Sequence, residues 1–171
     1  MAYISNAALR GKQNRTAGAS FEQIIDAACQ YYKENGIAEI DKTPEAMKPL
    51  GHQNVKGQFL ACYVKKAQPD FKGTLKGGRS IVFEAKFTSS DKMQQSVVTE
   101  KQAEALERHQ RLGAKCFVVI SFSFKNFYRV PWEVWRDMKS IYGRKYIKPE
   151  DIPQYEVRFL FGLLDFLHKE D

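Results

Sequence analysis

The first half of the chain contains one strongly periodic apolar segment, followed by a stretch with little pattern. The apolar residues of the first segment recur at helical spacing: Phe21, Ile24, Ile25, Ala28 and Tyr32. Ser20 and Gln23 fit the capping-box spacing, and Gly36 follows the last periodic residue. We therefore expect a helix from Ser20 to Gly36. A short strand over residues 38–40 should follow, and then irregular chain over residues 43–58.

The remaining pattern predicts short strands and helices. The predicted elements are a strand at 59–64, a hairpin of 71–75 and 80–87, a helix at 99–112, strands at 116–122 and 126–130, a helix at 132–141, and a final strand or helix at 157–168. The hairpin turns at Gly77-Gly78, because glycine accepts the positive φ of tight turns. This order predicts a single mixed α/β layered domain over residues 19–171, preceded by a flexible basic arm over residues 1–18.

Positive charge is concentrated in two parts of the chain. The whole chain has 27 Lys and Arg against 20 Asp and Glu, a net charge of +7. Residues 48–79 hold seven basic residues and one acid, a local net charge of +6, and three more basic residues precede Glu22 with no acid among them. Such a field favours a polyanion, most commonly nucleic acid. A solvated basic surface explains the charge alone equally well.

The three cysteines predict neither a metal cluster nor a disulfide framework. Cys29, Cys62 and Cys116 are far apart, each in an apolar context, and no CxxC pair is present. We expect core thiols in a reducing compartment. No segment has the pattern of a signal peptide or of a membrane span, so the expected location is the cytoplasm.

Two carboxylates and a lysine of the predicted hairpin can share one site. Glu84 and Lys86 are two residues apart on the second strand, so both side chains leave the same face of the sheet. Asp70 follows Pro69 near the start of the first strand, and the hairpin can bring it beside Glu84. Converging carboxylates offer the hard oxygen ligands that suit Mg²⁺ or Mn²⁺.

This arrangement predicts metal-dependent hydrolysis of a phosphodiester bond. A divalent ion orients and neutralises the phosphate and lowers the pKa of a bound water, while Lys86 can position that water or stabilise developing charge. The short motif also occurs by chance, and carboxylates beside lysines are usually exposed ion pairs worth ~0–1 kcal/mol. Two features favour the nuclease: the strand at 81–87 is too apolar for an exposed edge, and the local charge of +6 matches DNA.

The motifs around this site resemble those of the RecU-type Holliday junction resolvases, members of the PD-(D/E)xK nuclease superfamily. The resemblance covers about residues 14–135 and rests on the order and spacing of Asn14-Arg15, Ala19-Ser20-Phe21-Glu22, Asp70-Phe71-Lys72-Gly73, Phe83-Glu84-Ala85-Lys86, Gln102 and Ala114-Lys115-Cys116-Phe117-Val118-Val119-Ile120. The short region ahead of Asn14 resembles a phage or prophage version of the family.

The resemblance implies a fold, an activity and an assembly. The fold is the restriction-endonuclease-like α/β fold, with a central mixed β-sheet flanked by helices and a projecting stalk. The expected enzyme is a homodimer that binds four-way DNA junctions and nicks two strands symmetrically with Mg²⁺. The alternatives are another PD-(D/E)xK endonuclease that cuts linear duplex and a DNA-binding protein without activity.

The resemblance also implies roles for individual residues. Asp70 and Glu84 resemble the metal-binding carboxylates, Lys86 the group that stabilises the transition state, and Gln102 a glutamine of the metal site. Gln102 lies three residues after Thr99, so capping of the helix is the other explanation, and both roles can coexist.

Two further positions are less well determined by the resemblance. Glu22 resembles an N-terminal glutamate near the catalytic site, and a first-turn acid that complements the helix dipole explains it equally well. Gln68 stands two residues before Asp70, where the family has a threonine, and this is a departure from the family pattern.

The basic residues are the expected DNA contacts. Residues 44–66, approximately, occupy the place of the family's stalk, which projects towards the junction centre, although an ordinary loop and core strand would also explain this stretch. Phosphate contacts are expected from Lys48, Lys56, Lys65, Lys66, Lys72 and Lys76. Arg10, Lys12 and Arg15 of the arm should do the same once DNA orders them.

Overall fold

The fold is a mixed β-sheet with helices on both faces. The computed structural model describes residues 6–44, 46–51, 56–63 and 68–167, with only the backbone for residues 6–15 and Tyr63. The helices are α1 (Asn6–Glu34), α2 (Glu100–Arg111), α3 (Trp132–Arg136) and α4 (Met138–Tyr142). The strands are β1 (Ala38–Lys42), β2 (Met47–Pro49), β3 (Ala61–Tyr63), β4 (Phe71–Leu75), β5 (Ser80–Thr88), β6 (Met93–Gln94), β7 (Lys115–Phe122), β8 (Asn126–Pro131), β9 (Tyr146–Ile147), β10 (Arg158–Leu160) and β11 (Leu163–Asp165).

The central sheet has the strand order β1-β4-β5-β7-β8. The β5–β7 pair is parallel, because α2 carries the chain back between them, and the other pairs are antiparallel. The predicted hairpin is confirmed: β4 and β5 are joined at Gly77 and Gly78, which adopt φ values of 93° and 90°. The mixed central sheet that the sequence predicts is therefore present, with β5 at its middle.

Two apolar cores lie on opposite faces of this sheet. Alternate residues of β5 enter different cores, because successive strand side chains point to opposite faces. Phe83 joins α1 in one core and Val82 joins α2 and α3 in the other. In the first core the rings of Phe71, Phe83 and Phe117 stack across three strands, with centroids 4.9 and 4.8 Å apart. This packing holds β4 and β5 in one register.

The predicted start of the first helix at Ser20 is wrong. The helix α1 begins at Asn6, and the Ser20 hydroxyl donates to the Thr16 carbonyl oxygen at 3.1 Å, a contact typical of a helix interior. The capping-box spacing is present in the sequence, but the helical backbone already continues upstream. The division into an arm at 1–18 and a nuclease domain at 19–171 stays a prediction, and α1 runs across that boundary.

The C-terminal part also differs from the prediction. The helix predicted at 132–141 is two short helices, α3 and α4, because the backbone leaves helical geometry at Asp137. The segment predicted as a last strand or helix contains the hairpin β10–β11, and His168 lies outside the described residues. Cys29 and Cys116 are buried as predicted, whereas the prediction that Cys62 is a core residue is wrong, because its side chain is exposed on β3.

The predicted stalk contains a small hairpin of its own. The strands β2 and β3 pair with each other in a separate two-stranded sheet, and Leu50 extends the pairing by donating to the Leu60 carbonyl oxygen at 2.7 Å. Leu50, Phe59 and Leu60 are exposed. The irregular chain predicted over residues 43–58 thus includes a strand. Within the part of the chain that the structure describes, no helix combines the length and apolarity needed to cross a bilayer.

Candidate active site

Three of the predicted site residues meet at the β4–β5 hairpin. Lys86 Nζ lies 3.0 Å from Asp70 Oδ2 and 2.7 Å from Glu84 Oε2. The backbone amide of Ala85 donates to the same Asp70 oxygen at 3.0 Å, which fixes the carboxylate against the middle of β5. The hairpin therefore brings Asp70, Glu84 and Lys86 together as the spacing predicts, and their catalytic roles stay predictions.

Glu84 is an acid held inside the protein. Its residue is completely buried, and its Oε1 has no hydrogen-bond partner among the described residues. Burial, reinforced by the nearby Asp70 charge and opposed by Lys86, raises the pKa of the Glu84 carboxyl to about 8. A carboxylate that is costly to charge and has one free oxygen is suited to bind a cation.

Lys86 supplies the positive charge of the site. Burial by itself would lower the pKa of the Lys86 ammonium, but the charges of Asp70 and Glu84 outweigh that effect and raise the pKa above its ordinary value. Lys86 is therefore a permanent cation at neutral pH. It can stabilise negative charge on a substrate, but it is a poor acceptor for a proton.

Gln102 both caps α2 and contacts Glu84. The Thr99 hydroxyl accepts a hydrogen bond from the backbone amide of Gln102 at 3.4 Å, and the backbone amide of Thr99 donates to Gln102 Oε1 at 3.0 Å. The two bonds complete a capping box. The other end of the same side chain, Nε2, donates to Glu84 Oε2. Capping of α2 and the contact with Glu84 coexist, because the start of α2 faces the site. In this arrangement Gln102 offers its nitrogen to the site, so its role as a metal ligand stays a prediction.

The donor set fits a divalent cation at a two-carboxylate site. Among the described residues, no group of three or more His, Cys, Asp or Glu side chains is placed to hold a metal. Asp70 and Glu84 provide two carboxylates, and the buried, unpartnered Glu84 Oε1 is an oxygen that a cation would satisfy. Oxygen donors of this kind suit Mg²⁺ or Mn²⁺.

Glu22 forms an ion pair with Lys42, a lysine that lies near Asp70. Its carboxylate is 2.6 Å from Lys42 Nζ, and the pKa of Lys42 is raised by its hydrogen bond to Glu22, with smaller contributions from nearby charges that include Asp70. The explanation of Glu22 as a first-turn acid is wrong, because α1 begins at Asn6. Lys42 was missed because the predicted strand ended at residue 40. A catalytic role for Glu22 stays a prediction.

Gln68 is exposed and contacts a different residue. Its Oε1 accepts a hydrogen bond from Lys72 Nζ at 3.0 Å, and among the described residues Gln68 forms no hydrogen bond with Asp70, Glu84 or Lys86. The glutamine at this position therefore binds Lys72, one of the basic residues predicted to contact DNA.

The structure describes only some of the residues that are predicted to contact DNA. Lys48, Lys56 and Lys76 are exposed, as a phosphate contact requires. Lys65 and Lys66 lie outside the described residues. The backbone of Arg10, Lys12 and Arg15 forms part of α1, and their side chains are outside the description. DNA binding by all of these residues stays a prediction.

Fold and site together define a class of protein. A mixed sheet with an Asp from the start of one hairpin strand and a Glu-Ala-Lys on the next is the restriction-endonuclease-like PD-(D/E)xK fold. A solved structure with the same fold is Hjc, a Holliday junction resolvase from Archaeoglobus fulgidus. Its TM-score is 0.51 at 13% sequence identity, over 81% of this chain and 93% of that chain.

The family is recognised at the level of sequence. The family model for RecU, Recombination protein U, matches residues 16–168. The Holliday junction resolvase RecU of Bacillus pumilus is 30% identical over 144 residues, which are 79% of this chain and 69% of that protein. The protein of the same name from a Geobacillus species is 29% identical over 148 residues, 81% of this chain and 73% of that protein. The chain belongs to the RecU family.

Proposed function

We propose that this chain is a metal-dependent endodeoxyribonuclease that resolves four-way DNA junctions. It acts as a homodimer that makes paired phosphodiester cuts, with Mg²⁺ as the natural cofactor and Mn²⁺ as a substitute. The proposal applies to this chain the activity named for its RecU relatives. It places the reaction in the cytoplasm, where free thiols such as Cys62 stay reduced.

One observation carries the proposal: two carboxylates, a lysine and a glutamine converge on one buried point. Asp70 directly precedes β4, Glu84 lies on β5 and Gln102 on α2, and Lys86 bridges the two carboxylates. A structural ion pair would not need a second carboxylate with a buried, unpartnered oxygen, since each such group costs solvation energy. The arrangement is explained if Glu84 is kept for a cation that arrives with the substrate.

The chain's own groups then have separate tasks. Asp70, held by the Ala85 amide, and Glu84 would bind the cation, which supplies charge neutralisation and a water of lowered pKa when it is bound. Lys86 stays protonated and stabilises the charge that develops on the phosphate. Gln102, positioned by its cap on Thr99, orients the Glu84 carboxylate through Nε2.

The homodimer follows from the symmetry of the substrate. Resolution requires two nicks on opposite strands of the junction, and the described residues of one chain contain one such site. Two copies related by a twofold axis present two sites in the required relation. The exposed lysines of the β2–β3 region, Lys48 and Lys56, would contact phosphates and position the DNA without reading its sequence.

Cleavage assays with matched substrates test the proposal. Purified protein is incubated with Mg²⁺ and either a four-way junction or linear duplexes of the same sequence. We expect symmetric nicks in the junction and little cutting of the duplexes. Asp70→Asn should abolish cleavage and leave junction binding largely intact, because the amide keeps the shape of the side chain. Glu104→Gln, a change of an exposed carboxylate on α2, is the matched control and should cut normally.

Each alternative has its own outcome. Preferential cutting of linear duplex would replace the resolvase with another PD-(D/E)xK endonuclease. Junction binding without cleavage in any divalent metal would indicate a DNA-binding protein. Full activity of Asp70→Asn would mean that the metal site lies elsewhere.

A further inference from the structure

An aromatic surface at the ends of two hairpins has no role in the site described above. We name it the aromatic tip and define it as Phe124, Phe159, Leu160 and Phe161. Phe124 lies in the turn between β7 and β8, and the other three lie at the end of the β10–β11 hairpin. All four side chains are exposed, and Phe161 is exposed completely.

The turn residues of the tip are unusual for their backbone conformation. Phe161 and Gly162 are the two residues between β10 and β11, with φ values of 53° and 80°. Two positive φ values describe the tight hairpin turn in which Asn-Gly or Asp-Gly is preferred. Phe124 has φ 57°. A bulky residue is strained in this region, so turn formation alone does not account for phenylalanine at either position.

The tip is held rigidly from behind. The Phe159 ring packs on Phe127 with centroids 5.3 Å apart, and Phe166, the residue directly after β11, is buried in the core. Arg129 donates to the Phe166 carbonyl oxygen at 3.0 Å. Phe161 is therefore presented at the end of an anchored hairpin.

The tip lies at the same end of the sheet as the candidate active site. The Phe124 ring packs on Phe87 with centroids 4.7 Å apart. Phe87 follows Lys86 on β5, and its side chain points to the opposite face of the sheet, where α1 packs. A groove of about 560 Å³ separates the two hairpins and is lined by Phe124, Phe159 and Leu160, by the basic residues Lys125 and Arg158, and by the acid Glu156. DNA that is bound at the candidate active site and extends around this end of the sheet would meet a surface that is both basic and aromatic.

We propose that the aromatic tip contacts DNA bases at the branch point of the junction, with Phe161 stacked on an exposed base. The inference rests on the proposed function, because only a branched substrate offers such a base next to duplex arms. Aromatic side chains bind bases by stacking, and apolar side chains on convex elements insert between base steps. Lys125 and Arg158 would hold the adjoining phosphates.

The size of the tip argues against a second copy of this chain as the occupant. Complete coverage of its exposed side chains would bury roughly 500 Å², whereas a stable protein interface takes about 800 Å² from each partner. A twofold contact at the tip would also bring Arg158 and Lys125 close to the same residues of the other copy. A narrow, convex and partly basic surface suits a base step better than a flat protein face.

The experiment uses a four-way junction that carries the fluorescent base 2-aminopurine at the branch point, with Ca²⁺ in place of Mg²⁺ so that binding is measured without cutting. Wild-type protein should change the fluorescence, because an aromatic ring alters the stacking of that base. Phe161→Ala should lose this change and bind the junction roughly 5- to 150-fold more weakly, with unchanged affinity for a linear duplex. Phe161→Trp should retain both signals.

Leu112→Ala removes another largely exposed apolar side chain, next to the end of α2, and serves as the matched control that should behave as wild type. Because Phe161 is completely exposed, its replacement does not threaten folding. Unchanged junction affinity of Phe161→Ala, or an equal loss on linear duplex, would overturn the inference. Conversion of a dimer to a monomer in sedimentation would also overturn it and make a second copy the occupant. If the wild-type protein shows no preference for the junction, the proposed function itself fails, which is visible without any variant.

Discussion

Replacing Glu84 with glutamine should stabilise the metal-free protein while it abolishes cleavage. The residue is completely buried and one of its oxygens is unpartnered, so its negative charge costs solvation energy in the absence of a cation. Glutamine has nearly the same shape and can still accept a hydrogen bond from Lys86. It carries no charge to bury and cannot replace the carboxylate at a divalent cation. The two effects separate the needs of catalysis from those of folding.

The magnitude follows from the pKa of the Glu84 carboxyl. Burial raises it from 4.5 to about 8, so the unfolded chain releases this proton at a lower pH than the folded chain does. The contribution of Glu84 to folding stability is therefore fully present below about pH 4.5, and it is lost as the pH rises towards about 8. At pH 7 this difference destabilises the folded state by roughly 3 kcal/mol. Weaker contacts of a neutral side chain with Lys86 offset part of the gain, which leaves roughly 1–3 kcal/mol.

Urea denaturation in the presence of EDTA measures this difference. The free energy of unfolding of Glu84→Gln should exceed that of the wild type at pH 7, and the gain should fall below about 1 kcal/mol at pH 5. Glu104→Gln changes an exposed carboxylate and should shift stability by less than about 0.5 kcal/mol at either pH. A variant that is less stable than the wild type at pH 7, or a gain that does not depend on pH, would refute the reasoning.

Four further substitutions, one of them a matched control, test the packing, the helix cap and the DNA contacts. Gly73→Ala should lower the free energy of unfolding by roughly 3 kcal/mol, because the added Cβ would overlap the backbone of β1. In the control Gly18→Ala the added Cβ meets no atom within 4 Å, so this change should stabilise α1 by ~0.5–1 kcal/mol. Similar effects of the two substitutions in urea denaturation would contradict the β1–β4 register. Thr99→Ala should lower the free energy of unfolding by about 1 kcal/mol. It should also slow junction cleavage, because Gln102 loses the Thr99 hydroxyl that helps to position it. A normal kcat at reduced stability would leave Gln102 with a structural role alone. Lys48→Ala should reduce the slope of log Kd against log salt by about 1, and an unchanged slope in filter-binding titrations would remove Lys48 from the interface.

Local rules were sufficient for the parts of the protein that depend on near neighbours in the chain. The alternation of β5 and the glycine turn before it predicted that Asp70, Glu84 and Lys86 would meet, because hairpin pairing follows from turn position and strand period. The cap at Thr99 was predicted for the same reason, since its partner Gln102 is three residues away.

Local rules failed where a second local signal competed or where distant elements meet. Ser20 has the spacing of a cap but lies inside α1, because a side-chain motif starts a helix only where the preceding backbone is not helical. The Glu22–Lys42 pair and the phenylalanines of the aromatic tip join elements that are far apart in sequence.

The sequence by itself determined which groups can do the chemistry, since residue type and strand period decide what a hairpin presents on each face. Only the tertiary structure decided their energetic state. Glu84 becomes difficult to charge because the packed fold excludes water from it, an effect that the nearby Lys86 charge offsets only in part. Desolvation depends on every element packed around a group. The same dependence explains why the exposure of Phe161 could not be read from its apolar neighbours: an apolar residue belongs to the core or to the surface according to what the rest of the fold places against it.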